Sequence, residues 1–321
     1  MHIRLGDRIF PISYRKRCLK KIIIIGSINM DIVSHVAKLP RPGETVCGKD
    51  FTYIPGGKGA NQAIAAHRLG GNVQMLGKIG RDAFGKNIMQ FFQKEGIPTD
   101  GIIVAGDTST GAAFVAVDSS AENVIFVSGG ANHDLSISDV RHVFIEKGDI
   151  VSATLETPIQ VTKQLFSKAK KAGAITMLNA APAIVEAETI FHLVDYLVIN
   201  ETELSVFAHT TIPKGIDSVV QSMKKLKRNR MNIITTLGNK GVIASISDEI
   251  LIVEGHTVNA IDTTAAGDCF VGALVVALQE DRGIKKAIDF ANTAAAVSVQ
   301  RLGASSSLPT RKEVEKFISQ Q

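Results

Sequence analysis

Lys-Ile-Ile-Ile-Ile-Gly, residues 21–26, holds four consecutive β-branched side chains between a lysine and a glycine. A strand with one wet face alternates apolar and polar residues. An unbroken apolar run of this length predicts a strand buried on both faces, as in a parallel sheet covered by helices. Outward from it the same rhythm repeats. Runs of strand length at 72–78, 149–155, 174–178, Tyr196–Asn200 and Asn232–Thr236 alternate with segments of helical period near 59–69, 82–95, 158–172, 202–208, 216–227, 266–280 and 284–300. This alternation predicts a βαβ array: a three-layer, Rossmann-like α/β fold, its parallel-core sheet lying between helices on both faces.

Two stretches, within 32–55 and 110–128, break the rhythm. Short alternating segments (ETVCGKDFTY, GAAFVAV, ENVIFVS) meet the turn-like pieces Arg41-Pro42-Gly43 and Asp118-Ser119-Ser120. They predict antiparallel strands standing apart as a small β lid. A chain of 321 residues can bury one large core with such an appendage. Its 45% hydrophobic and 21% charged content describes a globular protein, and no apolar run suits a bilayer, so no membrane partner is expected.

The formal charge of +5 is local to the N-terminus. Of 36 basic side chains, seven (Arg4, Arg8, Arg15, Lys16, Arg17, Lys20, Lys21) fall in residues 1–21 beside a single acid, Asp7; 29 basic and 30 acidic groups remain elsewhere. A neutral body offers no electrostatic footprint for nucleic acid. Residues 1–20 read as a basic extension, disordered or a non-native start, ahead of a domain over 21–318. Cys18, Cys47 and Cys269 are few, odd in number and without metal-ligand spacing, which fits free thiols and a cytoplasmic setting.

Ligands of open α/β sheets bind beyond the carboxyl ends of the strands. After the first strand, Gly26-Ser27-Ile28-Asn29-Met30-Asp31 lacks the glycine spacing of a dinucleotide loop, which counts against a nicotinamide-dependent dehydrogenase. It offers Asn29 and Asp31 on alternate positions, either as partners for the hydroxyls of a polyol or as turn formers. Gly56-Gly57-Lys58-Gly59-Ala60-Asn61-Gln62-Ala63 then opens the helix 59–69. Its glycines allow close backbone approach to a ligand, and Lys58 and Asn61 add donors at a helix N-terminus, without the spacing of a P-loop. Glu156 ends a later strand, as a helix-start carboxylate or a ligand. Asn200 and Glu203 lie three apart at another helix start, where they either orient waters of a Mg²⁺ ion or form a capping box. Thr236-Leu237-Gly238-Asn239-Lys240-Gly241 is a hairpin loop with donors suited to phosphates or a ribose edge.

Residues 262–268, Asp-Thr-Thr-Ala-Ala-Gly-Asp, run into the apolar stretch Cys269-Phe270-Val271-Gly272-Ala273. Small residues at a helix N-terminus present bare N–H groups to an anion, and a carboxylate waits one position later. An N-cap at Thr263 or Thr264 explains one hydroxyl but neither the two aspartates nor the Ala-Ala-Gly between them. Such a site suits transfer of a phosphoryl group to a hydroxyl.

In combination and order these motifs resemble the ribokinase branch of the PfkB family of carbohydrate kinases over residues 21–318, with 56–63 similar to the first family signature and 262–268 to the second. The resemblance implies a ribokinase-like fold and ATP-dependent phosphorylation of D-ribose at O5 to give D-ribose 5-phosphate. Asp268 would be the base, and the N–H groups of Ala265, Ala266 and Gly267 would stabilise charge on the transferring group. Ala265 stands where glycine is common in the wider family, a change that leaves the backbone N–H in place.

The resemblance also implies a sugar site of Asn29, Met30, Asp31, Gly57, Lys58, Gly59, Ala60, Asn61, Glu156 and Asp268. The implied ATP site is Asn200, Thr236, Leu237, Gly238, Asn239, Lys240, Gly241, Gly267, Asp268 and Asn292, with Glu203 placing Mg²⁺ through water. A monovalent cation, K⁺, is expected at Asp262, Thr264, Ser298, Arg301, Gly303 and Ser307, several of them through carbonyl oxygens, which suit a large, weakly hydrated ion. Helical pattern alone makes Asn292 a solvent-facing amide and Gly303 a helix cap. A homodimer joined through the β lid is the implied assembly.

The alternatives are a kinase for another small sugar or a nucleoside (2-deoxyribose, a fructose-type sugar, an adenosine-like substrate), or a catalytically silent sugar-binding regulator. Asn29 favours ribose over 2-deoxyribose, because relatives acting on the deoxy sugar tend to carry an apolar residue there. With 5% aromatics and no Trp, the composition argues against a base-stacking pocket. The intact set of expected catalytic and phosphate-contacting positions argues against a silent regulator.

Overall fold

The computed structural model describes residues 20–120, 122–227 and 230–320. Its frame grows from β1 (Ile22–Ile25), whose four isoleucines are fully buried. Ile22 and Ile24 join the core on one face of the sheet, Ile23 and Ile25 the core on the other. That split is what a period of two requires. Burying each such side chain contributes about 1.5–3 kcal/mol, so this one strand anchors both helical layers.

From β1 the chain leaves the sheet as β2 (Asn29–Val36) and β3 (Gly48–Gly56), then returns through α1 (Lys58–Arg68), β4 (Val73–Ile79), α2 (Ala83–Glu95) and β5 (Ile102–Val104). It leaves again as β6 (Gly111–Val117) and β7 (Asn123–Ser128). After the short α3 (Ile137–Val140) come β8 (Ile150–Ala153), α4 (Ile159–Ala172), β9 (Ile175–Asn179), β10 (Tyr196–Asn200), α5 (Glu201–Phe207), α6 (Ile216–Leu226) and β11 (Asn232–Thr236). A hairpin of β12 (Gly241–Ile246) and β13 (Glu249–Glu254) precedes α7 (Ala266–Gln279), α8 (Ile284–Ser298) and α9 (Arg311–Ile318).

The main sheet has the order β13-β12-β11-β10-β9-β8-β1-β4-β5. It is parallel from β11 to β5 and antiparallel across β11-β12-β13. Helices α1, α2, α7 and α8 build the core on one face, and α4, α5 and α6 that on the other. The α/β sandwich expected from the sequence is therefore present. The edge strand β13 and the helix α9 extend it beyond the elements the sequence pattern picked out.

The second sheet has the order β3-β2-β6-β7. Its two outer pairs are antiparallel, as the lid reading expects, while the central β2–β6 pair is parallel. The chain reaches β6 through β4, α2 and β5, a crossover rather than a hairpin, and a crossover brings strands together in parallel. β2 also starts at Asn29, ahead of the expected lid boundary, so one strand carries Asn29 and Asp31 from the end of β1 straight into the lid.

The expectation for residues 1–20 lies, Lys20 excepted, outside the described residues. Lys20 belongs to the body: its Nζ pairs with Asp281 Oδ1 at 2.5 Å and its carbonyl accepts from Gln279 Nε2. Among the described residues no helix is long and apolar enough to cross a membrane.

Candidate active site

The first turn of α1 sits directly over the loop that follows β1. Gly57 has φ 91°, and a Cβ there would lie 2.8 Å from both Asn29 N and Ser27 O. A Cβ on Gly59 would lie 2.6 Å from Gly26 Cα. Only glycine permits this approach. The junction is closed by Ala60 N–H donating to Ser27 O at 3.0 Å and Asn61 N–H to Gly57 O at 2.8 Å.

On this platform the strand period sorts the expected sugar residues. Asn29 and Asp31 share a face of β2, while Met30 and Ala60 are each 1% exposed and packed in the core. The side chains of Met30 and Ala60 therefore face the core, and only their main chains are left for a ligand. Asn132, which no motif marked, orients Asn29. Its Oδ1 accepts Ile28 N–H at 2.8 Å and its Nδ2 donates to Asn29 Oδ1 at 2.8 Å. A main-chain N–H can only donate, so the Asn132 amide has one orientation, and it holds Asn29 with Oδ1 turned toward Asn132 Nδ2.

Glu156, just beyond β8, accepts from Ser27 Oγ and from Lys58 N–H (3.4 Å). Burial, then the Glu156 and Asp268 carboxylates, push the Asp31 carboxyl up to about 7, with Lys58 opposing. Burial pulls the Lys58 ammonium down, but Asp268, Glu156, Glu203 and Asp31 together outweigh it and hold the group above its ordinary value. One lysine thus serves four carboxylates, and it stays charged.

Asp268 stands in the first turn of α7, 7% exposed. Asn61 Nδ2 donates to its Oδ2 and Gln62 Nε2 to its Oδ1, each at 3.1 Å. Burial pushes the carboxyl up to about 6, against the pull of Lys58 and of these two amides. A carboxylate tuned near neutrality can take a proton from a hydroxyl and still be ionised in the resting protein. The helix starts from Ala265, which is left-handed at φ 59°, and the Gly267 backbone opens into free space. Ala266 N–H points back to Thr263 O at 3.2 Å, a bond that an incoming anion would have to share.

A cavity of ≈ 390 Å³ between the β12–β13 hairpin and α7–α8 is lined by Thr236, Gly238, Asn239, Gly241, His256, Phe270 and Asn292, among others. A neighbouring one of ≈ 240 Å³ is lined by Lys58, Asn179, Asn200, Glu203 and the run 265–268. The two share Thr236, Thr263, Ala266 and Gly267. One groove therefore leads from an apolar end to Asp268.

Leu237 and Lys240, expected in the nucleotide site, line neither cavity. Leu237 is buried in the core on the opposite face of the sheet, and Lys240 is exposed. Asn292 is 7% exposed and donates to Glu254 O at 2.8 Å, so it is not the solvent-facing amide that helical pattern alone suggests. His256, with Nε2 2.9 Å from Thr293 Oγ1, and Thr257, Val258 and Ala260 line the groove although no motif marked them.

Asn200 and Glu203 form both halves of a capping box: Glu203 N–H donates to Asn200 Oδ1 at 2.8 Å and Asn200 N–H to Glu203 Oε2 at 2.9 Å. The cap leaves Glu203 on the wall of the smaller cavity, where burial pushes its carboxyl up. Of the positions expected around a monovalent cation, Asp262, Thr264 and Gly303 are in contact. Asp262 Oδ1 accepts Thr264 N–H (2.9 Å) and hydroxyl (2.6 Å), and its Oδ2 accepts Gly303 N–H (2.8 Å). Ser298 and Ser307 are fully buried. Arg301 directs its guanidinium to Glu313 at 2.6 Å, so only its main chain is available to an ion.

Against this geometry stand the likenesses to known proteins. The sequence profile of the pfkB family carbohydrate kinase matches residues 19–311. A ribokinase of Haemophilus influenzae is 39% identical over 301 residues, covering 93% of this chain and 98% of that one. A ribokinase structure from Thermotoga maritima superposes with a TM-score of 0.82 at 34% identity, covering 94% of this chain and 99% of the other. An Arabidopsis thaliana ribokinase, solved with ribose and ATP, gives 0.82 at 30% identity, covering 93% and 98%. A phosphoryl-transfer groove on this fold, with both signatures in register, accords with those matches, and the chain belongs to the pfkB family of carbohydrate kinases.

Proposed function

We propose that the protein transfers the γ-phosphoryl group of ATP to O5 of D-ribose, giving D-ribose 5-phosphate and ADP. The observation that carries the reading is the position of Asp268: its carboxylate lines the smaller cavity together with Lys58 and accepts a hydrogen bond from Asn61 of the glycine-rich turn. The base thus sits where a nucleotide site and a polyol site meet.

In this reading Asn29, Asp31 and Glu156 take the sugar hydroxyls, which leaves O5 facing Asp268. Asp268 accepts the O5 proton as O5 bonds to the γ-phosphorus and the bond to the ADP oxygen breaks. Lys58 and the N–H groups of Ala265 and Gly267 offset charge on the moving group. The adenine end occupies the apolar part of the larger cavity beside Phe270 and Asn292. Glu203 and Asn200 fit a Mg²⁺ ion held through water, because a carboxylate and an amide line the same small cavity; the ion would neutralise phosphate charge. The oxygen-rich junction of Asp262 and Thr264 with 298–307 fits a K⁺ ion, which would lend positive charge beside the helix start.

The lid leaves Phe51, Tyr53, Val124 and Phe126, which the strand register puts on one face, each at least half exposed. An apolar sheet face of this kind is an interface signature, and we assign it to a homodimer. The unpaired thiols of Cys47 and Cys269 suit a cytoplasmic enzyme. The test is ADP release from Mg-ATP over a panel of sugars, with and without K⁺. Fastest release with D-ribose, raised by K⁺, is the expected result, and release that ignores the sugar would sink the reading.

A further inference from the structure

Gln62 is a fully buried amide in α1 that the reaction scheme leaves without a task. Its Nε2 donates one N–H to Asp268 Oδ1 at 3.1 Å and the other to Asn179 Oδ1, also at 3.1 Å. Asn179 ends β9 and donates from Nδ2 to Val198 O on β10 at 3.2 Å. A carbonyl can only accept, so the Asn179 amide has one orientation, nitrogen toward Val198 and oxygen toward Gln62. That in turn fixes Gln62 with its nitrogen toward Asp268. The arrangement leaves Gln62 Oε1 buried without a hydrogen-bond partner among the described residues. Packing alone gives no reason to bury an amide so placed, because a methionine fills similar volume with no unpartnered oxygen.

We propose that Gln62 and Asn179 are positioning residues, forming a relay from the main chain of β10 that fixes the rotation of the Asp268 carboxylate. Asn61 holds Oδ2 and Gln62 holds Oδ1, so the carboxylate plane is pinned at both oxygens and its remaining lone pairs face the acceptor hydroxyl. Both relay residues are neutral. Removing them leaves the charges around Asp268, namely Lys58, Glu156, Asp31 and Glu203, unaltered; losing the Gln62 bond also raises the carboxyl, so kcat is compared on the pH plateau well above its value of about 6, where the effect reads orientation.

This inference rests on reading Asp268 as the base. The test compares parent, Gln62→Met, Asn179→Leu and the double variant, each checked by thermal unfolding, on whichever sugar the parent phosphorylates fastest. Each single change is expected to lower kcat about 10–100-fold, the cost of a misplaced catalytic group, with the sugar KM within about twofold. The double variant should be no slower than the slower single, because both changes break one relay. Unchanged kcat in a folded variant, a loss confined to KM, or losses that multiply would overturn the proposal. If Gln62→Met does not fold, Asn179→Leu alone decides by the same split between kcat and KM. A parent that phosphorylates no sugar sinks the function reading and the relay together, whereas an active parent with unaffected variants sinks the relay alone.

Discussion

Asp268 is held in two opposing ways: burial favours its neutral form, and two amides with Lys58 favour its charged form. Only the ionised carboxylate can accept a proton, so with a value of about 6 the rate constant kcat should fall about tenfold per pH unit well below that point. A pH profile flat down to pH 5 would contradict the assignment. Stability should run the other way. The folded-state values of Asp268 and Asp31, about 6 and about 7, lie above the ordinary 3.8. Their contribution is therefore fully present below about pH 4 and is lost as pH rises through 6 to 7. At pH 8 the variant Asp268→Asn should be more stable than the parent by about 1–3 kcal/mol, measured by urea unfolding without ligands. A less stable variant would mean that the charge has a structural role.

At the scale of elements, the lid is tied to the body at Asp82, the N-cap of α2. Its Oδ1 accepts Gly85 N–H at 2.8 Å and Thr110 Oγ1 at 2.7 Å, and its Oδ2 accepts Thr110 N–H at 2.7 Å. Burial raises the carboxyl, but these bonds together hold it below its ordinary value. Thr110 leads into β6, whose Gly111 pairs with Asn29. Replacing Asp82 by alanine should cost about 1–2 kcal/mol in unfolding free energy. It should also raise KM for the sugar more than KM for ATP, because the loosened strand lies against Asn29. Equal changes in both would separate the cap from the lid. Elements with unbroken or helical periodicity, β1 and α7 above all, were legible in the sequence. The edge strand β13, Glu-Ile-Leu-Ile-Val-Glu, was not, since only Val253 in it is buried and no clean pattern results.

For the whole molecule, the glycine-rich turn of 56–63 and the helix start of 262–268 converge on one groove, and the order of motifs along the chain made that convergence legible. The roles of Asn132, Gln62 and Asn179 stayed hidden because the bonds that tie them to the site span more than a hundred residues, where no local spacing records them. Met30 and Leu237 match motif positions, yet each side chain is buried in the core rather than facing the groove. If the exposed lid face pairs two copies, light scattering should give a dimer mass for the parent and a monomer mass for Phe126→Lys; a monomeric parent would leave that face without its assigned role. The central claim, that Asp268 is the base for transfer to a ribose hydroxyl, is tested most directly by following D-ribose and Mg-ATP with ³¹P NMR for the parent and Asp268→Asn. The account predicts D-ribose 5-phosphate formed one for one with ADP, and a rate lower on the order of 10²–10⁴-fold in the variant, or about 3–5 kcal/mol of barrier. Turnover of D-ribose by Asp268→Asn at the parent rate would contradict it.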